Sequence, residues 1–115
     1  MNVDPGLVLV LGSNTMADAE PDLGERLLRS FLQVLGTTAR IPGRILCLGT
    51  GVFLTTEGSP VSAELRVLVD AGARLFSCAT CLDYYGRRDQ LILGEVGTMK
   101  DTVEAMLGAD KLLRP

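Results

Sequence analysis

Two cysteines lie three residues apart in Ser77–Gly86, "SCATCLDYYG", and their type and spacing are the strongest chemical signal in the 115-residue chain. A thiolate is a nucleophile and a soft metal ligand. Within one helical turn two Cβ atoms stand roughly 5–6 Å apart, so a modest shift would join Cys78 and Cys81 as a disulfide. The Cys-x-x-Cys spacing serves both zinc and redox sites. Here it lacks the Pro between the cysteines that many dithiol oxidoreductases carry.

The rest of the inventory narrows the chemistry. The chain has no histidine and three cysteines. Ser-His-Asp and Cys-His nucleophile systems therefore cannot be built from this chain alone. Zinc sites with histidine are excluded, and an all-cysteine tetrahedral site is one ligand short. Thiols, carboxylates, backbone amides or a partner remain. No metal site and no cofactor motif is read from the chain. Cys47 stands in the middle of the apolar run "RILCLG" and reads as inert core.

Composition bounds the rest. Apolar residues make up 47% and charged residues 22%, with a net charge of −3, which fits one globular domain spanning 1–115 and argues against a general nucleic-acid binder. Basic clusters do not exceed Arg87-Arg88. No apolar run approaches the roughly 18 residues of a membrane span. The opening "MNVDPG" lacks the basic and apolar regions of a secretory leader, so free thiols in a reducing cytoplasm are expected.

Strand and helix signals alternate, and this alternation positions the thiols. "LVLVLG" (Leu7–Gly12), "RILCLG" (Arg44–Gly49), "RLFSC" (Arg74–Cys78), "LILG" (Leu91–Gly94) and "KLL" (Lys111–Leu113) read as strands, the first two as strands buried on both faces. A helix is expected from Pro21, with Leu23, Leu27, Leu28, Phe31 and Leu35 at helical spacing and Gly36 as C-terminal cap. "TGVFLTTEGS" reads as a loop or short turn. Ser59 and Pro60 then read as N-cap and first residue of a second helix, which presents Val61, Leu65, Leu68 and Val69 and stops at Gly72. "ATCLDYY" forms a short helix ended by Gly86. Thr98 and Asp101 form a capping box for a last helix whose Val103, Met106 and Leu107 face the core. Five strands joined by helices predict an α/β fold with a mostly parallel sheet covered on both faces.

In such sheets, sites form beyond the carboxyl ends of the strands. Three segments converge there: Ser13–Glu20, Thr50–Ser59 and Cys78–Gly86. Cys78 ends a strand and opens a helix, where free backbone N–H groups favour a thiolate; the competing reading is two small buried core residues. Ser13, Asn14 and Thr15 in "GSNTM" resemble an anion-cradling turn or are a plain strand-to-helix loop. Gly49 and Gly51 permit close backbone approach or simply a turn. Thr55, Thr56 and Glu57 belong to "TTEGS", in which Glu57 is a proton-transfer group near the thiol or a solvated loop acid. Tyr84 and Tyr85 suit a pocket, an interface or the core.

With these segments assembled, the chain resembles the DsrE-like family, and more narrowly the C-terminal domain of YedF-type proteins, described as sulfurtransferase-like and linked to selenium metabolism. "VLVLGSNTM", "DLGERLLRSFLQVL", "GVFLTTEGSPV", "SCATCLDYYG" and "GEVGTM" carry the resemblance over nearly the whole chain, "LTTEGS" and "SCATCLDYYG" most specifically. The resemblance implies a three-layer α/β/α sandwich with a five-stranded parallel sheet, assembled as a homo-oligomer (dimer, trimer or hexamer). In the sulfur-relay members a cysteine at a strand end, with a glycine eight residues later, carries a persulfide. Cys78 with Gly86 matches that placement, and Cys81 matches the second cysteine of the YedF-type block. A sulfur donor or acceptor protein, such as a SirA/TusA-like carrier, is the implied partner; YedF-type proteins usually carry an N-terminal SirA/TusA-like domain, and without one in this sequence the chain reads as a stand-alone member or a fragment. The readings to separate are a cytoplasmic sulfur or selenium carrier, a non-enzymatic oligomeric binding or assembly subunit, and a dithiol redox or metal-holding module.

Overall fold

The computed structural model describes residues 2–115. Five parallel strands, β1 (Asn2–Leu11), β2 (Arg40–Cys47), β3 (Arg74–Cys78), β4 (Glu95–Gly97) and β5 (Lys111–Leu113), form one sheet in the order β4-β3-β2-β1-β5. Helices α1 (Pro21–Leu35), α2 (Ser62–Asp70), α3 (Ala79–Tyr84) and α4 (Met99–Leu107) join them, with 3-10 turns at Gly49–Leu54 and Arg88–Gln90. The expected α/β fold with a mostly parallel five-stranded sheet is the one observed; every pairing between the strands is parallel.

The alternation of side chains along the strands separates two cores. Leu9, Leu11, Ile45, Cys47 and Leu75 point to one face and pack with Leu28 and Leu32 of α1 and Leu65 and Leu68 of α2. Val8, Val10 and Leu46 point to the other face, where Ala105 of α4 covers them and Phe76 and Met106 pack at the margin. Each fully buried leucine contributes about 1.5–3 kcal/mol of hydrophobic stabilisation. Right-handed crossovers explain the layering. The connections β1–β2–β3–β4 step one way across the sheet, and the connection from β4 to β5 returns. By the same rule the chain leaving β3 and the chain leaving β4 turn to opposite faces. Cys78 is in register with Gly97 across that pair.

Several boundaries differ from those read in the sequence. β1 and β2 start earlier than Leu7 and Arg44, pairing from Asn2↔Arg40 onward with an irregularity between Asp4 and Val8. Gly43 makes this possible, because a Cβ there would press on the Asp4 and Pro5 backbone. "LILG" is not a strand. Leu91 makes one antiparallel bridge to Thr56, Gly94 turns at φ +78°, and β4 begins at Glu95. A Cβ on Gly94 would collide with the Leu75 backbone, so the chain enters the sheet only after passing this glycine. Ser59 caps a turn, accepting the Val61 N–H at 3.2 Å, and α2 begins at Ser62 rather than Pro60.

The helix faces also shift. α1 buries Gly24, Leu28 and Leu32 and leaves Leu23 and Leu27 exposed. α4 has the expected Thr98–Asp101 capping box, but its buried face is Thr102 and Ala105. Val103 and Leu107, expected in the core, are exposed, and Leu107 is 82% accessible. Small residues let α4 approach the sheet closely, and the larger ones turn outward. Among the described residues no helix is long and apolar enough to cross a membrane.

Candidate functional site

β3 delivers Cys78 to the edge of the core. Its side chain is 7% exposed and packs with Val52 and Leu82, with Leu48 and Cys81 at the margin. Cys78 is the N-cap of α3, and its Sγ accepts the Cys81 N–H at 3.4 Å. The sulfur here takes the place of the oxygen that usually caps a helix, occupying one of the N–H groups that lacks a partner in the first turn. Cys81 is half-buried in the same first turn, and its Sγ accepts the Gly49 N–H at 3.1 Å. All three cysteines are free thiols.

Burial first, and then the adjacent Cys78 sulfur, hold Cys81 above the ordinary thiol range, while the Gly49 N–H acts in the opposite direction. Both influences follow from elementary electrostatics: an apolar setting and a neighbouring sulfur disfavour a second negative charge, and a donated N–H favours it. Cys47, expected as inert core, is fully buried, and burial pushes its thiol up to about 12.

The 3-10 turn Gly49–Leu54 braces the pair from β2. Gly49 adopts φ +58°, which suits glycine and aims its N–H at Cys81. Gly51 lies so close to the Leu11 carbonyl that a Cβ there would overlap it. Both glycines thus belong to the tight packing of this turn. At its far end Thr55 and Thr56 are fully buried, and both hydroxyls donate to the Val52 carbonyl at 3.1 Å. The Thr55 hydroxyl also contacts Ser77 Oγ at 2.6 Å. Counting protons gives one arrangement: Ser77 donates to Thr55, and Thr55 donates to Val52. The residue before Cys78 and the residue three after it are both fastened to the same turn.

The loops after β1 and β2 meet as expected, with the Asn14 N–H donating to Thr50 Oγ1 at 3.2 Å. Ser13 Oγ accepts the Thr15 N–H at 3.1 Å, so its hydroxyl supports the loop itself. Asn14, Thr15 and Glu57 line a cavity of about 610 Å³ together with Asp22, Phe53 and Arg87. Neither cysteine lines it. Thr55 and Thr56, fully buried, do not line it either. Among the described residues no hydrogen bond joins Glu57 to either thiol; the Glu57 N–H instead donates to the Gln90 carbonyl, and the Glu57 carbonyl accepts from the Arg87 guanidinium. The candidate residues therefore fall into two places: Cys78, Cys81 and Gly49 at one, and Asn14, Thr15 and Glu57 at the other.

Three contributors escaped the sequence reading. Ser77 is a buried hydroxyl, and the one signal for it is a polar residue inside the apolar run "RLFSC". Phe53 and Arg87 form a stack, with the guanidinium 4.8 Å from the ring centroid and Tyr85 4.7 Å on another side. Tyr84 stands 82% exposed beside it. No spacing in the sequence announces that cluster, because its members come from different segments.

No protein-family model matches the chain. No curated protein matches it in sequence. Solved structures do match in fold. The YchN protein from E. coli superposes with a TM-score of 0.63 at 21% identity, covering 95% of this chain and 97% of that one. A protein of unknown function, MTH1491 from Methanobacterium thermoautotrophicum, superposes with a TM-score of 0.67 at 21% identity and the same coverage. The architecture is thus the DsrE-like α/β fold.

Proposed function

We propose that the chain is a sulfur carrier of the sulfur-relay type that holds sulfane sulfur on Cys78, with Cys81 as the resolving thiol. The observation that supports this reading is the hydrogen-bonded thiol pair at the carboxyl end of β3, with Cys78 Sγ on the Cys81 N–H and Cys81 Sγ on the Gly49 N–H. In loading, the Cys78 thiolate attacks the terminal sulfur of a donor persulfide. An S–S bond forms to Cys78, the donor S–S bond breaks, and the donor leaves as its thiolate. In resolution, the Cys81 thiolate attacks the Cys78 sulfur. A Cys78–Cys81 disulfide forms, hydrosulfide leaves, and an external dithiol must reduce the disulfide before the next cycle.

The narrower YedF-type resemblance belongs to the same proposal. It extends the cargo to selenium, the partner to a SirA/TusA-like carrier, the location to the cytoplasm and the assembly to a homo-oligomer. The test is intact mass after incubating reduced protein with a small persulfide donor. Wild type is expected to gain one sulfur atom transiently and then to release it as hydrosulfide, ending two hydrogens lighter than the reduced starting protein as the disulfide forms. No gain in wild type, or equal gain in Cys78→Ser, removes the carrier reading.

A dithiol redox module is the second reading, favoured by the direct influence of the Cys78 sulfur on Cys81. It predicts a reversible Cys78–Cys81 disulfide in thiol buffers with no sulfur gain. A non-enzymatic subunit predicts neither outcome.

A further inference from the structure

We propose that Cys78 and Cys81 also form a two-coordinate site for a soft monovalent cation, copper(I) being the biological case. The proposal depends on the thiol pair and not on persulfide chemistry. Counting ligands for zinc finds too few, because zinc in structural sites takes four. Among the described residues no group of three or more His, Cys, Asp or Glu side chains comes together. A soft d10 ion of single charge is the cation that two thiolates alone can satisfy.

The surroundings match that ion in three ways. Each sulfur already accepts a backbone N–H, from Gly49 at 3.1 Å and from Cys81 at 3.4 Å. These donors lie where they offset the single negative charge of a bis-thiolate complex and hold both sulfurs in place. The wall is apolar, formed by Val52 and Leu82 with Leu48 at the margin. Hard oxygen ligands are kept away: Asp83, the one carboxylate on α3, is taken by both guanidinium nitrogens of Arg88 at 2.9 and 2.8 Å. Half-buried Cys81 is the point of access, and buried Cys78 the second ligand. Binding exchanges two S–H bonds for two sulfur–metal bonds and releases two protons to solvent, with no change of oxidation state.

The experiment supplies copper(I) anaerobically, as its complex with a chromogenic chelator, to reduced and metal-free full-length protein. Loss of chelator colour measures transfer. Wild type and Cys47→Ala are expected to withdraw one ion per chain, and X-ray absorption to show two sulfur neighbours without nitrogen or oxygen. Cys78→Ser and Cys81→Ser are expected to bind at least about a hundredfold more weakly, two powers of ten in Kd. Cys81→Ala, at a half-exposed position, gives the same comparison if a serine variant does not fold, with circular dichroism confirming the fold. No withdrawal by wild type, equal withdrawal by folded single-cysteine variants, or a spectrum with three or four ligands overturns the proposal. Persulfide loading is measured on metal-free protein, so each result stands whichever way the other falls.

Discussion

Gly49 gives its N–H to Cys81 Sγ at 3.1 Å from a left-handed backbone, so a residue of β2's carboxyl end helps set the charge of a thiol on α3. In Gly49→Ala the side chain would meet the Gly12 carbonyl at 3.4 Å, and the positive φ costs about 1–2 kcal/mol for an L-residue. The variant is expected to lose roughly that much stability in urea melts. Burial and the Cys78 sulfur hold the Cys81 pKa up and this N–H holds it down, so weakening the contact raises it further. Alkylation of Cys81 against pH, followed in a Cys78→Ser background, is expected to move to higher pH when Gly49→Ala is added. An unchanged profile would detach Gly49 from the thiol.

Removing the resolving thiol separates the two steps of the carrier cycle. Cys81→Ser is expected to load sulfur on Cys78 and to keep it, because serine cannot displace hydrosulfide. Sulfide release over the same interval is expected to fall by at least about tenfold, equivalent to about 1.4 kcal/mol in the barrier. Intact mass and a sulfide electrode follow the two species. Release from Cys81→Ser as fast as from wild type would assign resolution to another thiol.

The Ser77–Thr55 contact makes a hydroxyl-specific prediction. Thr55→Val keeps the shape and leaves the buried Ser77 hydroxyl without its acceptor, a loss of about 1–3 kcal/mol. Thr55→Ser keeps the bond and gives up one methyl group, about 1 kcal/mol. Urea denaturation of both variants is expected to place Thr55→Val at or below Thr55→Ser despite its better apolar match. A Thr55→Val variant more stable than wild type would show that the hydroxyl chain contributes nothing.

Cys47 gives the pH prediction. Burial moves its thiol from the ordinary 9.0 to about 12, so the native state keeps a proton that the unfolded chain releases between those values. Its contribution to stability is complete below about pH 9 and is lost as pH rises toward 12, by about 1.4 kcal/mol per pH unit. Urea melts across that range are expected to fall less steeply for Cys47→Ala than for wild type, by about one proton. At neutral pH folded wild type is expected to resist alkylation at Cys47, with modification appearing only on unfolding.

What the sequence disclosed follows the strength of each local signal. The third strand was legible to the residue, because "RLFSC" is bounded by Gly72 before it and by a helix start after it. The capping box at Thr98–Asp101 was legible because both partners lie within four residues. The fourth strand was misplaced to "LILG" because apolar content marks burial and not pairing; Leu93 is buried, yet the ladder begins only after Gly94. The outward turn of Val103 and Leu107 was hidden for a related reason. Helical spacing defines a stripe, but the sheet selects the narrow side of α4, at Thr102 and Ala105. At the site, Cys78 and Cys81 could be found from their spacing. Their fastening to Gly49 and, through Ser77, to Thr55 could not, since those partners lie 22 to 32 residues away in the chain.

The two rims of the sheet, β4 and β5, are each three residues long. A strand that short exposes only one or two unpaired ladder groups to an incoming chain, too few to nucleate sheet growth. Gly94 and Gly97 bound the one rim and the Gly108 turn precedes the other, so neither extends without rebuilding its turn. Both rims therefore carry built-in protection against edge-to-edge polymerisation. At these two rims the fold discourages the backbone-templated fibre that an apolar sheet with long free borders would invite.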